Sequence, residues 1–360
     1  MKSSPKYINA REGVMKGVFL LSAVFSIFAL VAITVFLFAS GAPFIARIGI
    51  GKFLFGTTWA PLATSPSYGI LSMIVATLYV TALAVLLGVG VGLFSAICLY
   101  KFCPKKLVAP IRQMVNLLAG IPSVIFGLFG LSVIVPFIRD YLSPNGVGYG
   151  ILSASVVLGI MILPTIVSVS LDAMKSVPES YYEGALALGA TKEQATFKVM
   201  LPSAKSGIFA GVTLAIGRAV GETMAVIMVI GGSPEMPNSI FQSVRTLTAN
   251  IAMGATELSG DALSALIASG VVLFVFTLLL NMSFAALKNG KKEKKEKHGK
   301  NKNSQEKSDN IVEKSQKLNT GRPNGDGINN IQADERAESE TKNVTAKSGN
   351  LSKEIANAKN

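Results

Sequence analysis

The chain is poor in residues that carry out chemistry. Its only histidine, His298, lies in a polar C-terminal stretch, which argues against a histidine-based triad or metal cluster in the rest of the chain. Its two cysteines, Cys98 and Cys103, fall at or beyond the end of an apolar segment that faces a reducing cytoplasm, so no disulfide is predicted. No Gly-x-x-x-x-Gly-Lys-Ser/Thr phosphate loop occurs, so any ATP must be hydrolysed by another protein. Acidic residues are scarce. Only 10 of the 21 precede residue 288, and Glu222 alone sits deep in an apolar segment, which argues against a carboxylate-dyad enzyme.

What the chain has is apolar length. Half of its 360 residues are hydrophobic and the mean hydropathy is +0.48. The charge is unevenly spread. Residues 288–360 hold 17 of the 34 basic residues and 11 of the acidic ones, with few apolar residues between them. Such a stretch cannot bury a core, and disorder is predicted for it. Lys288, Lys291, Lys292, Lys294, Lys295 and Lys297 make a basic cluster suited to an anionic membrane surface.

Crossing the hydrocarbon core takes roughly 20 apolar residues in a helix. Windows free of charge place spans at 17–40, 69–100, 113–138, 150–171, 206–230 and 262–287, the fifth interrupted by Arg218 and Glu222. The first lacks a clear small-residue cleavage site and reads as a retained helix. Lys and Arg set the orientation. Lys2, Lys6, Arg11, Lys16, Lys101, Lys105, Lys106, Arg112, Lys175, Lys192, Lys198 and Lys205 fall on one side; Arg47, Lys52, Arg139 and Arg245 fall on the other. Both termini are therefore expected in the cytoplasm of a multi-pass cell-membrane protein. The expected domains are a cytoplasmic N-terminus (1–16), an all-α domain of six transmembrane helices (17–287) with a cytoplasmic loop (173–205), and the tail (288–360).

That loop contains Glu183–Pro202, EGALALGATKEQATFKVMLP, a polar helix-forming stretch between two spans. Two helices are predicted. Ser176-Val-Pro-Glu179 reads as a capping box, Gly189 as a left-handed stop, Thr191-Lys-Glu-Gln194 as a second capping box, and Leu201-Pro202 as the end. The pattern resembles the EAA loop of the type I ABC-importer permeases, carried here by Glu183, Gly184, Ala185, Gly189, Leu201 and Pro202. Gly184 and Val199 replace the more usual Ala and Ile. The resemblance implies that these residues grip an ATPase subunit.

The fifth span carries Gly217-Arg-Ala-Val-Gly-Glu-Thr-Met-Ala225. At i and i+4, Arg218 and Glu222 would share one helix face. Charges at such depth normally face a bundle interior or an aqueous path. Two readings stand: a pair that merely neutralises itself, or an anion path in which Arg218 meets an oxyanion and Glu222 holds it in the meantime. The stretch resembles a signature of the phosphate-specific ABC-importer permeases, which assigns the path to Arg218, Glu222 and Thr223. Leu118-Ala-Gly-Ile-Pro-Ser-Val-Ile-Phe-Gly127 resembles another segment of the same permeases. There Gly120, Pro122 and Ser123 are either a simple proline kink or a gate whose freed N–H groups face an anion. Trp59-Ala-Pro61 and Tyr68-Gly-Ile70 resemble the C-type more than the A-type subunit of that importer.

The resemblance implies a non-enzymatic permease that moves inorganic phosphate inward and binds no cofactor, ATP being used by its partners. Those partners would be a second permease subunit, two ATP-binding subunits and an extracytoplasmic phosphate-binding protein. Molybdate or sulfate as cargo, an ion-coupled secondary transporter, and a membrane enzyme are the competing classes. The EAA-like loop speaks against the transporter, and the missing catalytic groups speak against the enzyme.

Overall fold

The computed structural model describes residues 5–284 and 286, with side chains from residue 14; the predicted tail lies outside the described residues. Among the described residues, six helices are long and apolar enough to cross a membrane: Val14–Ile48, Leu71–Phe102, Ser123–Tyr141, Ile151–Lys175, Lys192–Gly221 and Gly260–Phe284. The count agrees with the charge-free windows, and two of the boundaries do not.

The first span belongs to α1 (Pro5–Ile48). A short α2 (Ile50–Phe55) follows, then a two-residue hairpin of β1 (Trp59–Ala60) and β2 (Ser67–Tyr68), in which Trp59 pairs with Tyr68. Phe44, Phe53, Trp59 and Tyr68 stack edge to face and seal this end of the bundle. The second span is α3 (Leu71–Ile97), extended by a π-helical turn over Cys98–Phe102.

The third span was predicted to start at residue 113, and this is not so. Residues 105–119 form a separate helix, α4 (Lys105–Ala119), none of whose side chains is fully buried. Ile111, Val115 and Leu118 lie against the apolar interior or the groove beside it, and Arg112 bonds Asp172 at 2.7 Å. Gly120–Pro122 ends it, because Pro122 has no N–H and biases the residue before it away from helical backbone. The span proper starts with α5 (Ser123–Phe129) and continues through a π turn into α6 (Val135–Tyr141).

The centre of the bundle is α7 (Ile151–Lys175), the most buried span, lying between α3 and the fifth span. Small residues permit this. A Cβ on Gly88 would come within 2.7 Å of Ile162, and one on Gly92 within 2.9 Å of Ile166. One on Gly211 would come within 2.9 Å of Val169. Gly90 and Gly221 have open space where a side chain would be.

The loop helices are α8 (Glu179–Ala187) and α9 (Lys192–Gln194). The second was predicted to stop at Leu201-Pro202, and it does not. It passes through a π turn over Ala195–Met200 into α10 (Leu201–Gly221), so Lys192–Gly221 is one continuous helix. Pro202 lacks the N–H an uninterrupted α-helix needs, and the widened turn just before it takes up the mismatch. The fifth span was also predicted to run on to residue 230. It ends at Gly221: Glu222 is extended (φ −72°, ψ 130°), and α11 (Met224–Val229) is a separate short helix. A loop, α12 (Leu247–Gly254) and α13 (Gly260–Phe284) complete the domain. α13 packs on α1 through Gly41 and the Phe38–Phe274 pair.

The α3–α7 seam makes a direct test. Gly88→Leu overpacks it, with an expected loss of about 1–3 kcal/mol and a lower melting temperature of the detergent-solubilised chain. Gly90→Leu, which points into open space, is expected to melt close to wild type.

Candidate functional site: a docking hairpin and a broken helix

The hairpin is built by local rules. Gly189 has φ +85°, the left-handed geometry predicted for it. Ala190 N–H donates to Ala185 C=O and Gly189 N–H to Leu186 C=O, the paired bonds that end a helix on glycine. Thr191 and Gln194 form the predicted reciprocal capping box, with Gln194 N–H donating to Thr191 Oγ1 at 3.3 Å. The box predicted at Ser176 is absent. Ser176 Oγ donates back to Ala173 C=O at the end of α7, and Pro178 precedes the first turn of α8. Ser176 thus satisfies a free carbonyl at the end of α7 in place of an N–H group of α8.

Tyr182, Ala195 and Met200 are buried and join the hairpin to the bundle. Lys101 clamps it from the π turn that ends the second span. Its Nζ bonds Glu179 Oε1 at 2.6 Å and lies 4.1 Å from the centre of the Tyr182 ring. Lys101 was read only as a topological charge, since its partners lie about eighty positions away. The outer face is open: Glu183, Gly184, Ala187 and Gly189 are exposed, and Leu188 is 91% exposed. Ala185 is half-buried, as is Leu201, while Pro202 is exposed at the start of α10. A leucine this exposed at a helix end next to an obligatory glycine is the signal that the sequence reading passed over.

The other half of the site is the break after α10. Arg218 and Glu222 were predicted to share one helix face. They do not, because the helix ends between them. Arg218 stands in the last turn of α10, about 20 Å of helix rise beyond Lys205. It is exposed on this subunit and makes no hydrogen bond or ion pair among the described residues. Glu222 turns the other way. Its Oε1 accepts from Ala225 N–H at 3.2 Å, capping α11, and its backbone C=O accepts from Thr248 Oγ1 at 3.0 Å. Thr223 is half-buried, its hydroxyl 3.4 Å from Gly221 C=O.

The predicted break at Gly120 and Pro122 lies alongside this one. A Cβ on Gly127 would meet Met228 and Ala225, and one on Gly130 would meet Val229, so α5 and α11 run side by side in the same direction. Their starts, at Ser123 and Met224, therefore lie at the same level. Gly120, Pro122 and Ser123 thus flank the Glu222–Thr223 bend, a relation that nothing local in the sequence reveals.

Six apolar helices with a helical hairpin between the fourth and fifth make a multi-pass membrane domain. Residues 88–292 match the family described as binding-protein-dependent transport system inner membrane component, and the chain belongs to it. The chain is 40% identical to the probable ABC transporter permease protein YqgH of Bacillus subtilis (strain 168), over 71% of this chain and 84% of that protein. It is 37% identical to the phosphate transport system permease protein PstC of Mesorhizobium japonicum, over 72% of this chain and 84% of that one. Among solved structures, a bacterial alginate ABC transporter in complex with an alginate-bound periplasmic protein aligns with TM-score 0.54. The two share 18% identity, over 76% of this chain and 93% of that one, a likeness of fold alone.

The Lys101 clamp has an acid-sensitive side. The hydrogen bond from Lys101, reinforced by its charge, holds the Glu179 carboxyl below its usual value. The clamp is therefore at full strength above the ordinary glutamate range and fades as the pH falls through Glu179's depressed one. The gap in melting temperature between wild type and Glu179→Gln is expected to be largest near neutral pH and to close on acidification.

Proposed function

We propose that the chain is the membrane-spanning permease subunit of an ATP-driven importer that carries inorganic phosphate into the cytoplasm. Arg218 carries the substrate reading: a guanidinium deep along a span, exposed, with no acid paired to it. A bare cation at that depth is costly in hydrocarbon, and an oxyanion that binds a planar fork of N–H donors compensates it. Phosphate is favoured because the relatives named as phosphate transport permeases match over most of the domain. The substrate-path residues are Arg218, Glu222 and Thr223. The bend at Gly120, Pro122 and Ser123 is the gate beside them.

On this reading the hairpin and both termini are cytoplasmic, as the twelve-to-four division of Lys and Arg supports. The hairpin binds an ATPase subunit through the face around Glu183, Gly184, Ala185, Leu188 and Gly189, and Leu201 and Pro202 carry it into α10. A second permease subunit covers the side of α10 that leaves Arg218 and Gly221 open. Two ATP-binding subunits and an extracytoplasmic binding protein complete the complex, and no cofactor is bound by this chain.

Labelled-phosphate uptake by the intact complex, with sulfate and molybdate as competitors, tests the substrate. Arg218→Gln is expected to abolish uptake while the ATPase subunit still co-purifies; normal uptake in that variant would remove Arg218 from the path. Glu222 caps α11 and does not pair with Arg218, so Glu222→Gln is not expected to rescue it.

Docking has its own test. Leu188→Ser and Gly189→Val are each expected to lower the amount of co-purified ATPase subunit severalfold without loss of membrane insertion. The first removes an exposed apolar contact, and the second places a β-branched residue at positive φ. Wild-type co-purification in both would remove the hairpin from the interface.

A further inference from the structure

Arg245 is a second arginine that the fold leaves without an acid. It lies between α11 and α12, at the end of the bundle away from the hairpin. There Gly150 N–H, just ahead of α7, donates to Val229 C=O, and Leu152 N–H donates to Ile240 C=O. Among the described residues its half-buried side chain is held by neutral acceptors only: Nε donates to Gly232 C=O at 2.7 Å and Nη1 to Asn250 Oδ1 at 3.3 Å. A guanidinium has five N–H groups, so three are unused. Burial pulls the guanidinium below its ordinary value, and the field of Glu257 works against this. Glu257 itself is exposed and forms no ion pair with Arg245.

The neighbouring amide shows the same surplus. Asn250, on α12, is 1% exposed, and its Nδ2 has no hydrogen-bond partner among the described residues. Because Oδ1 of that amide accepts from Arg245, Nδ2 is fixed beside the guanidinium. The spot therefore holds one positive charge and several N–H donors with no acceptor left to take them. It is also joined to the proposed path. Thr246 and Thr248, at the start of α12, have their hydroxyls 3.2 Å apart, and Thr248 Oγ1 donates to the backbone C=O of Glu222.

We infer that Arg245 and Asn250 form an oxyanion subsite of the transport path, set beyond Arg218 on the side away from the hairpin. A tetrahedral oxyanion would take the unused N–H groups of the guanidinium and the Nδ2 of Asn250, then pass along α12 to the break after α10. This rests on the anion-importer reading above and adds a station to it.

Asn250→Asp separates this from a purely structural role. It keeps the acceptor for Arg245 and places a fixed carboxylate where the anion would sit. A structural clamp would be strengthened by the change and transport left alone, whereas a subsite would be filled from within. Phosphate uptake by the intact complex is expected to fall at least tenfold in Asn250→Asp, with the ATPase subunit co-purifying at wild-type levels. Arg245→Gln is expected to fall as far. Arg245→Lys should lie between them, since it keeps the charge and loses the fork. Uptake within twofold of wild type in Asn250→Asp overturns the subsite, and so does failure of both Asn250→Asp and Arg245→Gln to assemble, which would assign the pair to folding. If the wild-type complex carries a different oxyanion and no phosphate, the substrate reading fails. The same variants assayed with that anion then decide the subsite on its own.

Discussion

The continuity of one helix organises the molecule. Lys192–Gly221 leaves the hairpin, crosses the bundle and ends beside Arg218 without an interruption. At 1.5 Å per residue its thirty residues make a rod of about 45 Å. Gly207 and Gly211 seat the rod against Ala173 and Val169 of α7, close enough that no side chain fits between them. A displacement imposed on the hairpin therefore reaches the break at Glu222 as motion of a rigid element, with no loop in between to absorb it. The π turn at Ala195–Met200 is what preserves the rod through Pro202. A strict α-helix would kink there, and the hairpin would be separated from the break at Glu222.

The break itself separates the two charges on the fifth span. A pair at i and i+4 would neutralise itself on the helix surface, and the cost of burying it would fall on this subunit alone. With the helix ended at Gly221, Glu222 is committed to capping α11 through Ala225 N–H, and Arg218 is left facing out of the subunit. That cost has to be met by something outside the chain, whether water, a neighbouring subunit or a passing anion. Among the described residues the structure offers no internal remedy. The self-neutralising pair therefore drops out as an account of Arg218.

The features legible in the sequence are those fixed by local chemistry. Stretches without charge located six spans. Gly189 and the Thr191–Gln194 box could be read because positive φ and reciprocal capping are decided within a few residues. Two failures share one cause, a helix carried on through a break, and a third is the reverse, a stop predicted at Leu201-Pro202 where the helix runs on. Residues 113–138 carry no charge and residues 206–230 carry only Arg218 and Glu222, and hydropathy does not register where hydrogen bonding stops. Pro122 announced the first break, whereas Gly221 and Thr223 announced the second only faintly. Ser176 was misread because two helix ends compete for one hydroxyl. Lys101 on Glu179 and Tyr182, the alignment of α5 with α11, and Arg245 on Asn250 depend on contacts between residues far apart in sequence. No pattern within a window could show them.

The two arginines left without acids differ in a way that suits passage over storage. A transport site must bind strongly enough to admit its cargo and weakly enough to release it. Arg245 is half-buried and held by two neutral acceptors, so its fork is pre-oriented while its charge is not cancelled. Arg218 is exposed and held by nothing among the described residues, at the end of the rod that begins in the hairpin. On the proposed reading, an anion would meet first a fixed donor set and then one whose position follows the rod. A carboxylate paired to either guanidinium would have to be displaced at every passage. At Arg245 neutral partners hold the geometry without competing for the charge, whereas Arg218 is left free to move with the rod.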